Sequence, residues 1–147
     1  MQNPGLKIIP VMFVCCWVFC FSLSSCSIPN LETPECSAAK DAVKQLYSFH
    51  FGNDMRPSAD NLKARDRFLT PDLSRELASK GDVNADYFTA SDAAPKTFKI
   101  GKCETSEPGK ASVQVQLYWR DDMKTVQKEV HVDAILINGV WLVGKVQ

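Results

Sequence analysis

The stretch AILINGVWLV at residues 134–143 decides the fold class of this 147-residue chain. Asn138-Gly139 stands between two apolar runs, and both residue types tolerate the positive φ angles that a type I′ turn requires. Such a dipeptide between apolar runs is the strongest short-range signal for a β-hairpin. Across this turn, Leu136 is expected to pair with Trp141. The stretch therefore predicts two antiparallel strands at the end of the chain.

Two further strands are predicted before this hairpin. Residues 113–119 alternate apolar and polar side chains, a period of two that is typical of a half-buried antiparallel strand. Residues 98–103 are expected to form an earlier strand, and Pro108-Gly109 predicts the turn between the two. The strand before Asn138 places five apolar side chains on one face: Val126, Val130, Val132, Ala134 and Leu136. Together these features predict an antiparallel meander of about four strands.

The residues before the sheet have helical spacing. Five side chains are expected to form the apolar face of a first helix: Ala39, Val43, Leu46, Tyr47 and His50. Ser37 is expected to cap this helix and Gly52 to end it. A shorter second helix is predicted over residues 60–68, and Thr70-Pro71 is typical of the start of a third. The predicted fold class is α+β, with N-terminal helices packed on one face of a curved antiparallel sheet.

The first 26 residues have the pattern of a bacterial lipoprotein signal. Lys7 is the only charged residue before the apolar run of residues 8–23, which is shorter than the ~20 apolar residues that span a bilayer. The sequence Leu-Ser-Ser-Cys then resembles the bacterial lipobox, in which the signal is removed before a cysteine that carries lipid on its sulfur. We expect cleavage between Ser25 and Cys26 and lipidation of Cys26. The alternative is a secreted protein that is cleaved nearby.

This signal divides the chain into three predicted parts. Residues 1–25 are the signal peptide, residues 26–36 are a lipidated tether, and residues 37–147 are a single α+β domain. More than one acyl chain on the cysteine makes membrane anchoring stable. We therefore expect a lipid-anchored protein of the cell envelope, on its periplasmic or extracellular face. Ser27 after the cysteine resembles the outer-membrane sorting pattern in hosts that have two membranes.

The cysteine count predicts one disulfide in the mature chain. Three of the six cysteines lie in the predicted signal: Cys15, Cys16 and Cys20. Lipid occupies Cys26, which leaves Cys36 and Cys103. In an oxidising compartment a remaining pair is expected to form a disulfide. Two free thiols and a metal pair are the alternatives, although no neighbouring residues have metal-ligand spacing.

Composition narrows the expected partners. The chain has 17 Lys and Arg residues against 17 Asp and Glu residues, so the loss of Lys7 with the signal leaves a net charge of about −1. No basic patch is visible in the sequence, and nucleic acid is therefore not an expected partner. Because the sequence also lacks a phosphate-binding loop, a nucleophile triad and a metal-ligand cluster, we expect no cofactor and no metal.

Four short motifs carry a resemblance to a known fold family. They are LYSF at residues 46–49, FLTPDL at 68–73, DYFTASD at 86–92 and GVWLV at 139–143. With their order along the chain, they resemble the nuclear-transport-factor-2-like superfamily, a cystatin-like cone in which a curved sheet wraps around helices. More closely, the chain is similar to small bacterial lipoproteins that carry an uncharacterised domain of this fold. The resemblance implies the cone and no established activity.

Enzymes of that superfamily, of the ketosteroid isomerase and dehydratase types, place an acidic or histidine base inside the cone. Five residues of this chain are candidates: His50, Asp86, Asp92, His131 and Asp133. A lone histidine on an apolar helix face, such as His50, is more often a hydrogen-bonded core residue than a base. His131 and Asp133 share the strand face opposite to Val132, where we expect solvent. Asp86 and Asp92 are explained by turn formation, so no catalytic residue is expected.

Two classes of function agree with these features. The first is an envelope module without enzymatic activity, anchored by lipid, that binds a protein, a peptide or a small apolar ligand. A structural lipoprotein, or an immunity-type one that neutralises a secreted toxin, has the same sequence features. The second class is an isomerase-like or hydratase-like enzyme that uses His50 or a nearby aspartate as its base.

The second face of the sheet is also apolar at the hairpin end. Its residues are Ile135, Ile137, Val140 and Leu142. We favour burial of this face by the curled sheet or by an early loop. A ligand pocket and a dimer patch are the alternatives.

Overall fold

Four antiparallel strands form one sheet in the order β1-β2-β3-β4. Their bounds are Thr97–Glu107 for β1, Lys110–Arg120 for β2, Thr125–Ile137 for β3 and Val140–Val146 for β4. The computed structural model describes residues 32–80, 85–120 and 125–147. The predicted signal peptide, its cleavage site and Cys26 lie outside the described residues.

The hairpin that was predicted from residues 134–143 is confirmed. Asn138 and Gly139 have φ angles of 51° and 81°, and Leu136 is paired with Trp141. These positive angles match the right-handed twist of the flanking strands, which is why the two-residue turn joins them without splaying. The first strand extends to Glu107, beyond its predicted end at Cys103, because it stays paired with β2 up to the Pro108-Gly109 turn.

The alternation in β2 places one row of its side chains in the core. Val113, Val115 and Leu117 are fully buried, and their partners on β3 include Val130 and Val132. The predicted apolar face of β3 is buried only in its middle part. At its two ends Val126 is 46% exposed and Leu136 is 40% exposed.

The first helix, α1, spans Pro34–Phe51 and contacts all four strands. It begins earlier than the predicted cap at Ser37, because the Thr33 hydroxyl accepts a hydrogen bond from the Cys36 amide at 3.2 Å and Pro34 takes the first helical position. Residues 34–36, predicted as part of the tether, are therefore helical. Gly52 caps the other end, as predicted.

The predicted helix over residues 60–68 is divided in the structure. Helix α2 spans Ala59–Lys63, and a separate 3₁₀ turn spans Asp66–Phe68. Between them the side chain of Arg65 turns into the core, where it is 2% exposed. Helix α3 spans Pro71–Ser79, and the Thr70 hydroxyl accepts from the Leu73 amide at its start, which confirms the predicted cap.

The two edges of the sheet differ. At the outer edge of β4, Leu69 forms a parallel bridge with Val143, and the Thr70 amide donates to the Val143 carbonyl at 2.8 Å. In the part of the chain that the structure describes, β1 pairs with β2 alone. Within these described ranges, one edge is therefore covered at its middle, while the other has no further strand paired with it.

Three α-helices and one antiparallel sheet, counted over residues 32–80, 85–120 and 125–147, make this an α+β fold, which confirms the predicted class. Residues Leu31–Gln147 form one compact unit. Its core consists of the buried face of α1, the inner rows of the sheet, and the side chains of Leu73, Leu77 and Phe88. No helix in the described ranges combines the length and the hydropathy needed to cross a bilayer.

Candidate functional site

His50 lies in the last turn of α1 on its buried face, with 1% of its surface exposed. Both ring nitrogens have hydrogen-bond partners inside the protein. Arg65 Nε donates to Nδ1 at 2.8 Å, and Nε2 lies 2.9 Å from Asp86 Oδ2. We call these three residues the buried polar cluster.

Arg65 holds this cluster to the backbone around it. Its guanidinium donates to the carbonyl oxygen of Asp54 at 2.8 Å and to that of Asn61. Burial lowers the pKa of Arg65, while the charges of Asp86 and Asp54 act in the opposite direction. The sequence interpretation missed Arg65. No local sequence pattern indicates that this arginine, inside the predicted helix over residues 60–68, is buried. The structure divides that helix at Arg65.

Asp86 completes the cluster from the loop before the sheet. Besides His50, its Oδ2 atom accepts from the Thr89 hydroxyl at 2.7 Å and from the Thr89 amide at 3.1 Å. These bonds form the turn that was predicted for Asp86. The carboxylate is 12% exposed and lines a cavity of about 480 Å³ between α2, α3 and the C-terminus.

Hydrogen-bond direction determines what the cluster can do chemically. An arginine Nε always donates, so Nδ1 of His50 must be the acceptor, and Nε2 therefore carries the proton and donates it to Asp86. The lone pair of the neutral imidazole is already engaged by Arg65, and Asp86 Oδ2 accepts three hydrogen bonds. A general base needs a free lone pair within reach of substrate, and His50 has none in this arrangement.

Tyr47 supports the same region from the adjacent turn of α1. Its hydroxyl donates to the carbonyl oxygen of Phe88 at 2.6 Å. The pKa of Tyr47 is raised far above its usual range, mainly because the phenol is buried and further because of the charge of Asp86. The phenol therefore remains protonated and acts as a structural donor. The helical spacing predicted a buried Tyr47, but it contained no sign of this bond.

The other three candidate bases lie apart from the cluster. Asp92 is exposed in the loop before β1. His131 is exposed on β3 with its Nε2 atom 3.2 Å from Glu129, and Asp133 accepts from the Gln147 side chain at 3.0 Å. His131 and Asp133 lie on the strand face opposite to the buried Val132, as predicted, and each has a different partner.

An open groove of about 760 Å³ lies between α1, the 3₁₀ turn and the tip of the β3–β4 hairpin. We call it the hairpin groove. Its volume is within the range of ligand-binding cavities. Helix α1 contributes Ala38, Asp41, Ala42, Gln45 and Phe49, and the opposite walls consist of Arg67, Phe68 and the hairpin residues 139–142.

Aromatic rings and one cation define one end of the hairpin groove. The guanidinium carbon of Arg67 is 4.6 Å from the ring centre of Phe49 and 4.6 Å from that of Phe68. The two rings lie 5.4 Å apart. Contact with the two aromatic rings favours this position of the guanidinium, from which its N–H groups remain available to an anion.

The second sheet face at the hairpin end is only partly buried. Ile135 packs over the backbone of Gly144, where a Cβ atom would come within 2.6 Å of the Ile135 side chain. Ile137 and Leu142 are half-buried, whereas Val140 is 57% exposed. Val140 and Leu142 line the hairpin groove, so this apolar patch is continuous with it.

A disulfide between Cys36 and Cys103 joins the first turn of α1 to β1, with the two Cα atoms 5.7 Å apart. The pair that remained after assignment of the other cysteines is thus bonded in the structure. Within the described ranges, no group of three His, Cys, Asp or Glu side chains is arranged to hold a metal ion.

Comparison with known proteins adds little to this description. No protein-family model matches the chain, and no curated protein matches it. A crystal structure of a protein of unknown function from Bacteroides thetaiotaomicron is similar to it, with 13% sequence identity and a TM-score of 0.45. The similarity covers 77% of this chain and 88% of the other. At this level it supports no conclusion about fold family or function.

Proposed function

We propose that the protein is a lipid-anchored binding module of the cell envelope. In this proposal residues 1–25 are removed as a signal, Cys26 carries the lipid, and a short tether joins it to one domain of the nuclear-transport-factor-2-like cone type. The lipobox-like residues 23–26 support the anchor, and the order of helices and strands agrees with the cone. The location is the periplasmic or extracellular face, on the outer membrane where the host has one.

The hairpin groove is the observation that carries the binding role. It is open to solvent, its walls combine aromatic and aliphatic residues with Asp41, Gln45 and Arg67, and its volume suits a peptide or a small ligand. The alternative, an isomerase-like or hydratase-like enzyme, needs a base that can reach a substrate. Asp86 lines a cavity, but its Oδ2 atom already accepts three hydrogen bonds, its Oδ1 atom accepts one from the Phe88 amide at 3.4 Å, and His50 is enclosed. The geometry therefore favours binding.

A photoreactive amino acid at position 140 tests the groove as the binding surface. We expect irradiation of intact cells to give a discrete crosslinked product from this position, because Val140 is 57% exposed and is one of the residues that line the groove. Position 126 is the matched control, since Val126 is also an exposed valine on the sheet but does not line the groove. Equal crosslinking from both positions, or none from position 140, contradicts a binding role for the groove.

Replacement of Cys26 tests the anchor. We expect the Cys26→Ala variant to incorporate no labelled palmitate and to leave the membrane fraction, because the thioether to the lipid needs the cysteine sulfur. Cys20→Ala is the control, since Cys20 lies in the predicted signal and is expected to leave with it. Normal palmitate labelling of the Cys26→Ala variant shows that the anchor assignment is wrong.

A further inference from the structure

We infer that the hairpin groove takes an extended peptide that presents a basic, an apolar and an acidic side chain at alternate positions. This inference rests on the proposed binding function and specifies the class of its ligand. It starts from two charged residues of the groove, Asp41 on α1 and Arg67 on the 3₁₀ turn.

These two charges differ from most of the charged residues around them. Four ion pairs occupy the neighbouring helices and loops: Glu32–Lys40, Asp54–Arg56, Asp72–Arg75 and Glu76–Lys80. Asp41 and Arg67 have no hydrogen-bond or ion-pair partner among residues 32–80, 85–120 and 125–147, as is also true of Glu35, Lys44 and Lys63, but these two are the charged side chains that line the groove. The guanidinium of Arg67 packs against the rings of Phe49 and Phe68. A cation held against aromatic rings and an unpaired carboxylate in one groove suit a ligand with the complementary charges.

The spacing of the two charges sets the spacing on the ligand. Asp41 and Phe49 are separated along α1 by about 12 Å at 1.5 Å per residue, and the Arg67 guanidinium lies over the Phe49 ring. An extended chain rises about 3.3 Å per residue, so this distance corresponds to about four residues. Residues i, i+2 and i+4 of an extended chain project to the same side. A basic residue at i and an acidic one at i+4 therefore both face the groove.

The groove wall between the two charges determines the middle position. Gln45 lies halfway between Asp41 and Phe49 along α1, Ala42 beside Asp41 has a short side chain, and Trp141 and Leu142 of the hairpin line the same groove. An apolar side chain at i+2 enters this space and covers surface that is otherwise exposed to water. Positions i+1 and i+3 point to solvent and carry no preference.

Three fluorescent peptides test this inference on the full chain in detergent. The first contains Lys-Ser-Leu-Ser-Glu, the second Lys-Ser-Leu-Glu-Ser, and the third Lys-Ser-Leu-Ser-Lys. The second moves the acidic side chain to the opposite side, and the third replaces it with a base. We expect fluorescence anisotropy to show that the first peptide binds about tenfold more tightly than either of the others.

Charge reversal in the groove tests the assignment of each end. We expect Arg67→Glu to prefer the Lys-Ser-Leu-Ser-Lys peptide, and Asp41→Lys to prefer a Glu-Ser-Leu-Ser-Glu peptide. Arg75→Glu is the control, because Arg75 lies on α3 outside the groove, and this variant should keep the original preference. Circular dichroism establishes that each variant is folded.

The outcomes separate this inference from the function on which it rests. Equal binding of the three peptides, no binding of any, or an unchanged preference in both charge-reversed variants overturns the inference. If position 140 still gives a specific crosslink in cells, the groove remains a binding surface for a ligand of different chemistry. If position 140 gives no crosslink, the proposed function fails as well.

Discussion

Replacement of Arg65 by methionine is expected to lower the free energy of unfolding by about 3–5 kcal/mol, because three acceptors around the buried guanidinium lose their donor and each unsatisfied buried acceptor costs about 1–3 kcal/mol. Methionine has a similar length and no charge. In the variant, Nδ1 of His50 and the carbonyl oxygens of Asp54 and Asn61 lose the N–H groups that Arg65 donates to them. It also removes the cation that offsets the charge of Asp86 in the buried polar cluster. Urea unfolding of the full chain in detergent measures the loss.

Arg67→Met is the matched control for this variant. Arg67 lies two residues further along the chain, and its guanidinium contacts two aromatic rings at the surface. Contacts of this kind contribute about 0.5–1 kcal/mol at exposed sites. Equal losses from the two variants would show that the guanidinium of Arg65 is not the central group of a buried network.

Removal of the disulfide is expected to have an effect of similar size. Cys36 and Cys103 are 67 residues apart, and by closing this loop the bond lowers the conformational entropy of the unfolded chain, which stabilises the folded state by about 4 kcal/mol. We therefore expect the double variant Cys36→Ala, Cys103→Ala to unfold at a lower urea concentration than the unaltered chain. The helices and the sheet should still form before unfolding, because the hydrophobic core does not depend on the bond.

Reductant provides the control for the disulfide prediction. It should destabilise the unaltered chain by a similar amount and should have little further effect on the double variant. If the double variant has the same free energy of unfolding as the unaltered chain, the disulfide does not stabilise the fold and the prediction is wrong.

Most of the sheet could be predicted because its signals are local. Asn138-Gly139 specifies its own turn geometry, and the strict alternation in β2 specifies which side chains are buried. The ends of elements were harder to predict. The start of α1 was placed at Ser37, although Thr33-Pro34 repeats the Thr-Pro signal that correctly placed α3. The division after α2 depends on the burial of Arg65, which helical spacing does not show.

The candidate site could be predicted only in part, because its contacts join distant residues. Helical spacing correctly placed His50 in the core, and strand alternation correctly placed His131 and Asp133 on the other face. Arg65 and Asp86 are 15 and 36 residues from His50 along the chain, and no local pattern brings them together. The hairpin groove is formed by three separate elements, so it becomes visible only when they are packed.

The cover on β4 by Leu69 and Thr70 has a consequence for how copies of this chain can associate. Among the residues that the structure describes, β1 pairs with β2 alone, so this edge is where a second copy could add by antiparallel pairing around a twofold axis, outside the irregular positions between Ile100 and Cys103 and between Thr105 and Glu107. Both ends of the joined eight-stranded sheet would then be β4 strands, each covered at its middle by Leu69 and Thr70. That cover hinders further strand addition around Val143 and disfavours growth into a filament.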